Sequence, residues 1–472
     1  MDYTPLVLLL LLPCFVWLCF HFLILGSTHR KSFQARLPPG PRPLPIIGNL
    51  LELGDKPHHS FTTLSKKYGP LMSLKLGSIT TIVISSPETA QQVLNKKDQT
   101  FSGRTVPNAI QVASHHHFSI GFLPASAHWR NLRKICSMQI FSLQRVDAFH
   151  GLRQKVVQQL LDHAHESCSS GRAVDIGRAA FTISLNLLSN TVFSVDLAHY
   201  DSNLSQEFKE LIWSILVEVG KPNLADFFPG LRLVDPQGIH KRMSVYFNKL
   251  FDVFDSFINQ RLQLRASSTD NDVLDALLNL NKQHDHELSC NDIRHLLVDL
   301  FSAGTDTTSS TIEWAMAELL NNPKAMAKAR DELSQVVAPT RSIPTPRKAE
   351  MDSEILGYAV PKNAQVIINV WAIGRDSKTW SDPHSFGPER FLECDIDVKG
   401  RDFQLIPFGA GRRICPGLLL GRRMVHLVLA SLLHSFDWKL EGGMKPEDMD
   451  MSEKFGFSVR KAQPLRVVPI KP

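Results

Sequence analysis

Apolar residues recur at three- and four-residue spacing over 131–163, 176–195, 206–219, 243–265, 292–320, 322–336 and 418–436. That period predicts helices whose apolar stripes face a common core. Residues 71–84 alternate instead: Met72, Leu74 and Leu76 precede Gly77-Ser78, and Thr80, Ile82 and Ile84 follow. This pattern predicts a hairpin. Ser86-Pro87-Glu88 then supplies a cap, an N1 proline and an early acid for a helix. A second hairpin is expected over Ile355–Val370, turning at Pro361-Lys362-Asn363. The polar segment 266–290 reads as an exposed connector. No internal repeat is present, and the fold class expected is mainly α with a small β region.

Leu6 to Leu25 is apolar except for Pro13 and His21. Twenty helical residues rise about 30 Å, the thickness of a hydrocarbon core. The run is longer than a signal h-region, and no small-residue cleavage site follows it. Arg30, Lys31 and Arg36 lie after it and Asp2 before it. The basic flank predicts a single-pass anchor with the remaining chain in the cytosol, where the sequon Asn203–Ser205 escapes glycosylation. Five prolines within residues 37–45 make a stiff extended spacer. The organisation expected is an anchor at 1–28, a basic and proline-rich spacer at 29–48, and one large domain at 49–472.

The balance of 43% apolar and 21% charged residues is that of a globular chain. A net charge of +6 suits an anionic membrane surface or an acidic protein partner, and no Lys/Arg run points to nucleic acid. Cysteines 14, 19, 136, 168, 290, 394 and 415 are odd in number and irregularly spaced. They fit neither a disulfide framework nor a zinc site.

The segment Phe408-Gly-Ala-Gly-Arg-Arg-Ile-Cys-Pro-Gly417 carries the chemistry. Glycines let a backbone pass close to a flat cofactor. A cysteine just before a helix N-terminus has its thiolate stabilised by the dipole and nearby amides. Arg413 suits an anionic cofactor group, and Phe408 suits packing near the sulfur. This FxxGxRxCxG pattern resembles the haem loop of the cytochrome P-450 superfamily at every defined position. The resemblance implies the P-450 fold, haem b (iron protoporphyrin IX) with Cys415 as its iron ligand, and Gly411 and Gly417 shaping the loop. It also implies insertion of one dioxygen atom into a small apolar substrate, with electrons from an NADPH-dependent flavoprotein reductase.

Further matches follow in the family's order. Trp129-Arg-Asn-Leu-Arg133 resembles its WxxxR, whose Trp and Arg reach a haem propionate. Ala303-Gly304-Thr-Asp-Thr-Thr308 resembles its oxygen-binding helix, where Thr307 serves dioxygen activation and Asp306 relays protons. A mid-helix glycine and back-bonding threonines distort a helix, and the resemblance places a groove over the iron there. Pro388-Glu-Arg-Phe391 matches the PERF segment, and Arg347 falls where a further propionate-binding arginine stands. The wording of the C-terminal third is similar to plant microsomal members of the geraniol-hydroxylase group, implying a terpenoid substrate and the endoplasmic reticulum membrane. Thr307 and Asp306 argue against an oxygen-independent rearrangement.

Other features are weaker. His115-His116-His117 cannot converge on one metal from adjacent positions, although one of them suits a pocket wall in the loop 101–125. Arg412, Arg422 and Arg423 suit either a solvated face or reductase docking. One family element is lacking. No E-x-x-R exists anywhere in the chain. The nine residues Ala338–Pro346, three of them proline, stand where the family has a helix bearing that motif. An internal loss near 338–346 is expected, as in a splice variant, gene-model error or pseudogene product. Arg390 of PERF would then lose its partners, and a catalytically impaired or haem-free remnant is the rival expectation.

Overall fold

The computed structural model describes residues 36–197, 203–264, 272–282, 288–331, 345–392 and 394–471. The expected anchor at 1–28 and most of the segment 338–346 lie outside the described residues. Among the described residues no helix is long and apolar enough to cross a membrane.

The long helices are α1 (Pro57–Tyr68), α2 (Ala127–Ile135), α3 (His150–Ser170), α4 (Ile176–Phe193), α5 (Asn203–Gly220), α6 (Ile239–Leu264), α7 (Val273–Lys282), α8 (Cys290–Asn321), α9 (Pro323–Asp331) and α10 (Leu418–Ser435). The fold is mainly helical with a small β region, as the pattern predicts. α8 runs unbroken through the centre. Its start is fixed by a capping box in which Ser289 accepts from the Asp292 amide and Asp292 accepts from the Ser289 amide. Phe301 of α8 stacks on Phe193 of α4 at 5.7 Å and packs against Phe254 of α6 at 5.6 Å, making the main core. A second core joins α3, α4, α8 and α10.

The strands are β1 (Leu71–Leu76), β2 (Ile79–Ile84), β3 (Gly103–Arg104), β4 (Val174–Asp175), β5 (Arg347–Lys348), β6 (Ser353–Ile355), β7 (Tyr358–Val360), β8 (Gln365–Ile368), β9 (Asp437–Leu440), β10 (Glu453–Lys454), β11 (Arg460–Lys461) and β12 (Arg466–Ile470). The first sheet has the order β1-β2-β8-β5-β3; β4-β12-β9, β6-β7 and β10-β11 form smaller ones.

Three expectations are corrected. The run 131–163 is not one helix: α2 ends in a π turn at Cys136–Ile140, Ser142 caps a short helix Leu143–Ala148, and α3 then begins. A caps-blind apolar period reads across those breaks. The second hairpin turns at Leu356-Gly357, both at positive φ, and pairs β6 with β7. Gln365–Ile368 instead joins β2 in parallel, a long-range pairing that local alternation does not encode. The connector 266–290 contains α7, which buries Val273, Leu274, Leu277 and Leu278 at helical spacing.

Candidate active site

A cavity of about 890 Å³ lies between α8 and the loop before α10. Cys415, Phe408, Gly417, Arg413, Trp129, Arg133, Arg347, Ala303, Gly304 and Thr307 all line it. Thus residues spread over nearly three hundred positions are brought to one wall or another of a single space.

The Cys415 loop is shaped by its glycines. Gly411 has φ +68, and a Cβ there would stand 1.9 Å from the Leu94 carbonyl oxygen, so a side chain cannot be accommodated. Gly411 therefore sits behind the cavity wall and sets the loop's path. The Cys415 amide donates to the Phe408 carbonyl at 2.9 Å, closing the loop. Burial pushes the Cys415 thiol up, opposed by the Gly417 amide and the Arg133 charge. Arg133 also donates to the Ile414 carbonyl, one residue before the thiol.

Four arginines converge on the cavity: Arg104, Arg133, Arg347 and Arg413. Arg347 and Arg413 are 5% and 7% exposed. Arg413 donates to the carbonyls of Ser102 (2.8 Å) and Leu123, and its guanidinium lies 4.5 Å over the Trp129 ring. Trp129 spends its indole N–H on the Ile120 carbonyl at 2.9 Å. Arg347 reaches the carbonyls of Phe101 (3.3 Å) and Ala410 (3.2 Å). Burial and mutual repulsion push Arg413 down to about 10. Burial alone takes Arg347 down to about 10, against the through-space pull of Asp98. Arg104 is driven well down by burial and by the other three arginines. Among the described residues no carboxylate is ion-paired with any of the four. Asp98 pairs with Arg412, whereas Glu350 acts on Arg413 only through space.

Sequence reasoning missed Arg104. It is a lone arginine in a loop, and only strand register reveals it: β3 pairs with β5 so that Arg104 stands opposite Arg347. Like charges directly opposite destabilise a sheet, and uncompensated buried charge is costly. The cluster is therefore built to face an anionic group, and a planar group with two carboxylates fits it.

On the opposite wall, α8 presents Ala303, Gly304 and Thr307. A Cβ on Gly304 would meet Leu188 at 2.8 Å, so this glycine also lets α4 and α8 pack closely. Thr305, Thr307 and Thr311 back-bond to the carbonyls four residues earlier (2.7, 2.8 and 2.7 Å) without interrupting the helix. Asp306 does not line the cavity. Its carboxylate is 1% exposed, accepts from the Ser458 hydroxyl at 2.6 Å and pairs with Arg460. Ser458 itself lines the cavity.

Of the three adjacent histidines, His115 lines the cavity; its Nε2 lies 3.2 Å from Asp299 and its Nδ1 2.8 Å from Nδ1 of His295. His116 packs against His117 with its ring tilted by 39°, and the three do not converge. Asp299 accepts from Ser119 (2.8 Å) and the Ile120 amide (2.7 Å), fastening the loop before α2 to α8. The basic cluster is largely engaged: Arg412 pairs with Asp98 and Arg423 with Asp147.

A half-buried thiol before a helix, four clustered arginines that have no carboxylate partner among the described residues, two of them buried, and a threonine-bearing helix across the cavity define a haem-thiolate oxygenase. The sequence profile of the cytochrome P450 family matches residues 38–345 and 340–466, and this chain belongs to that family. It is 50% identical to geraniol 8-hydroxylase of Catharanthus roseus over 497 aligned positions, covering 99% of each chain. It is 50% identical to cytochrome P450 76AD1 of Beta vulgaris over 502 positions, covering 100% of this chain and 99% of that protein. Ferruginol synthase of Isodon rubescens is 45% identical over 482 positions, with 96% and 98% covered. The 502 aligned positions exceed this chain's 472 residues by 30, and the two profile stretches overlap over residues 340–345. The cofactor is haem, with electrons from NADPH by way of a reductase, and the chain is a cytochrome P450 monooxygenase.

Proposed function

We propose that the chain hydroxylates a small terpenoid from the cytosolic side of the endoplasmic reticulum membrane, held there by the span Leu6–Leu25. The observation that carries the substrate class is the cavity. About 890 Å³ must hold haem as well as substrate, and Val298 of α8 joins Leu187, Leu188, Ile215, Leu216 and Phe457 in an apolar wall. Relatives named for acting on geraniol and geranylhydroquinone support this reading.

In this reading Cys415 holds the iron, and Arg104, Arg133, Arg347 and Arg413 hold the carboxylates. Haem, when bound, supplies dioxygen activation. Thr307 places its hydroxyl oxygen at the cavity with its proton on the Ala303 carbonyl. Asp306 stands behind, and protons reach the cavity through the Ser458 hydroxyl that it holds. The apolar wall orients the substrate and excludes water. The test is incubation of the haem-replete chain with geraniol, reductase and NADPH. A product heavier by one oxygen is expected, and no product or spectral shift from any terpenoid in a panel overturns the substrate class.

A second reading is carried by Arg390. It is half-buried and, among the described residues, donates only to the carbonyls of Ser381, Asp382, Ser385 and Gly387. Among the described residues it has no carboxylate partner. We infer an internal loss near 338–346 that leaves the chain poorer in haem. The absent E-x-x-R and the half-buried Leu418 and Leu419 at the start of α10 support it. Haem per protein is measured for this chain and for one given the relatives' segment between Val337 and Arg347; equal haem in the two sinks this reading.

A further inference from the structure

His58 and His59 open α1, and both turn Nε2 toward one carboxylate oxygen, Oε1 of Glu453 on β10. His58 Nε2 lies 2.7 Å from it and His59 Nε2 is in contact with it. The three donor atoms lie within 4.8 Å of one another. His58 and Glu453 are 3% and 8% exposed, whereas His59 is 42% exposed. Two donors are thus fixed in the interior and the third opens to solvent, giving an ion a way in.

We propose that His58, His59 and Glu453 bind a divalent transition-metal ion of the zinc type. Two imidazole nitrogens and one carboxylate oxygen form a known three-ligand zinc set, leaving a position for water. Donors about 2.0–2.2 Å from a tetrahedral ion stand on the order of 3.3 Å apart. The exposed His59 ring has room to swing outward, and the His58–Glu453 pair at 2.7 Å opens by about 0.6 Å to admit the ion. Magnesium and calcium need more oxygen ligands than this site offers.

The location gives the ion a consequence. Glu453 begins the β10–β11 hairpin, whose turn Phe455–Ser458 lines the cavity, while Pro57, His58 and Phe61 of α1 line it from another side. A bound ion cross-links two walls of the substrate cavity.

The full-length chain in detergent is dialysed against Zn²⁺ or Mg²⁺, and bound metal is counted for the wild type, His59→Ala and Glu453→Gln. Zinc should be retained by the wild type, at least about tenfold more weakly by either variant, and magnesium by none. His59→Ala leaves the buried His58–Glu453 contact in place, so it is expected to fold. Unchanged zinc stoichiometry and affinity in that variant overturn the proposal, as does equal retention of magnesium.

Discussion

Among the described residues Arg347 and Arg390 both donate only to main-chain carbonyls, yet they sit in opposite situations. Arg347 is almost wholly buried, is bonded at 3.2–3.3 Å, and is surrounded by three other arginines. Arg390 is half-buried and bonded at 2.9–3.1 Å to carbonyls from its own loop, none more than nine residues away. The first arrangement leaves charge uncompensated in a low-dielectric site, and it is completed only by an anion. The second is locally satisfied and holds the loop 381–390 in shape. An arginine without a carboxylate is thus a ligand signal only when it is clustered with other arginines at one cavity.

The comparison can be broken by substitution. The largest effect belongs to the thiol the arginines flank: Cys415→Ser should abolish the thiolate band in the reduced carbon monoxide difference spectrum, and a surviving band would show that another residue ligates iron. Arg347→Leu or Arg413→Leu should weaken haem retention by roughly 10–100-fold, the worth of a hydrogen bond to a charged group, as read by haem loss to an apo-globin acceptor. Arg390→Gln should change retention only about two- to threefold in this chain, since removing a locally satisfied surface-side bond costs about 0.5 kcal/mol. In the chain restored with the relatives' segment, the same substitution should cost far more. Equal costs in the two backgrounds would mean that Arg390 has no partner in the added segment.

A smaller effect tests oxygen activation on the opposite wall. Thr307→Ala should leave haem content unchanged and divert more reducing equivalents to peroxide, measured per product formed; unaltered coupling removes Thr307 from that role. The smallest concerns a buried charge of opposite sign. Glu313 is 8% exposed, accepts from the Leu465 amide at 2.9 Å, and is pushed by burial from the usual 4.5 up to about 7. The folded state then holds a proton that the unfolded state releases between those values, so stability falls as pH rises from about 4.5 to about 7. Chemical denaturation of Glu313→Gln across that window should show a shallower fall than the wild type, and parallel curves would discount the buried acid.

The sequence by itself determined what depends on neighbours along the chain. The helical period placed α4, α5, α6, α8 and α10 within a few residues. The alternation around Gly77-Ser78 placed β1 and β2. The glycines and the helix start around Cys415 exposed the ligand loop, because the turn and the thiol's electrostatics are both local. Composition and spacing also exposed what Ala338–Pro346 cannot contain. Only the tertiary structure decided what depends on register and packing. Arg104 became a member of the site because β3 lies against β5 with Arg104 opposite Arg347. Gln365–Ile368 left the expected hairpin for a parallel place beside β2, where its apolar residues are buried in the sheet. Asp306 turned from the cavity to Ser458 and Arg460, since α8 offers its successive residues to different surroundings about 100° apart. A linear pattern records which face a residue occupies within its own element; which partner covers that face is settled by contacts between residues hundreds of positions apart.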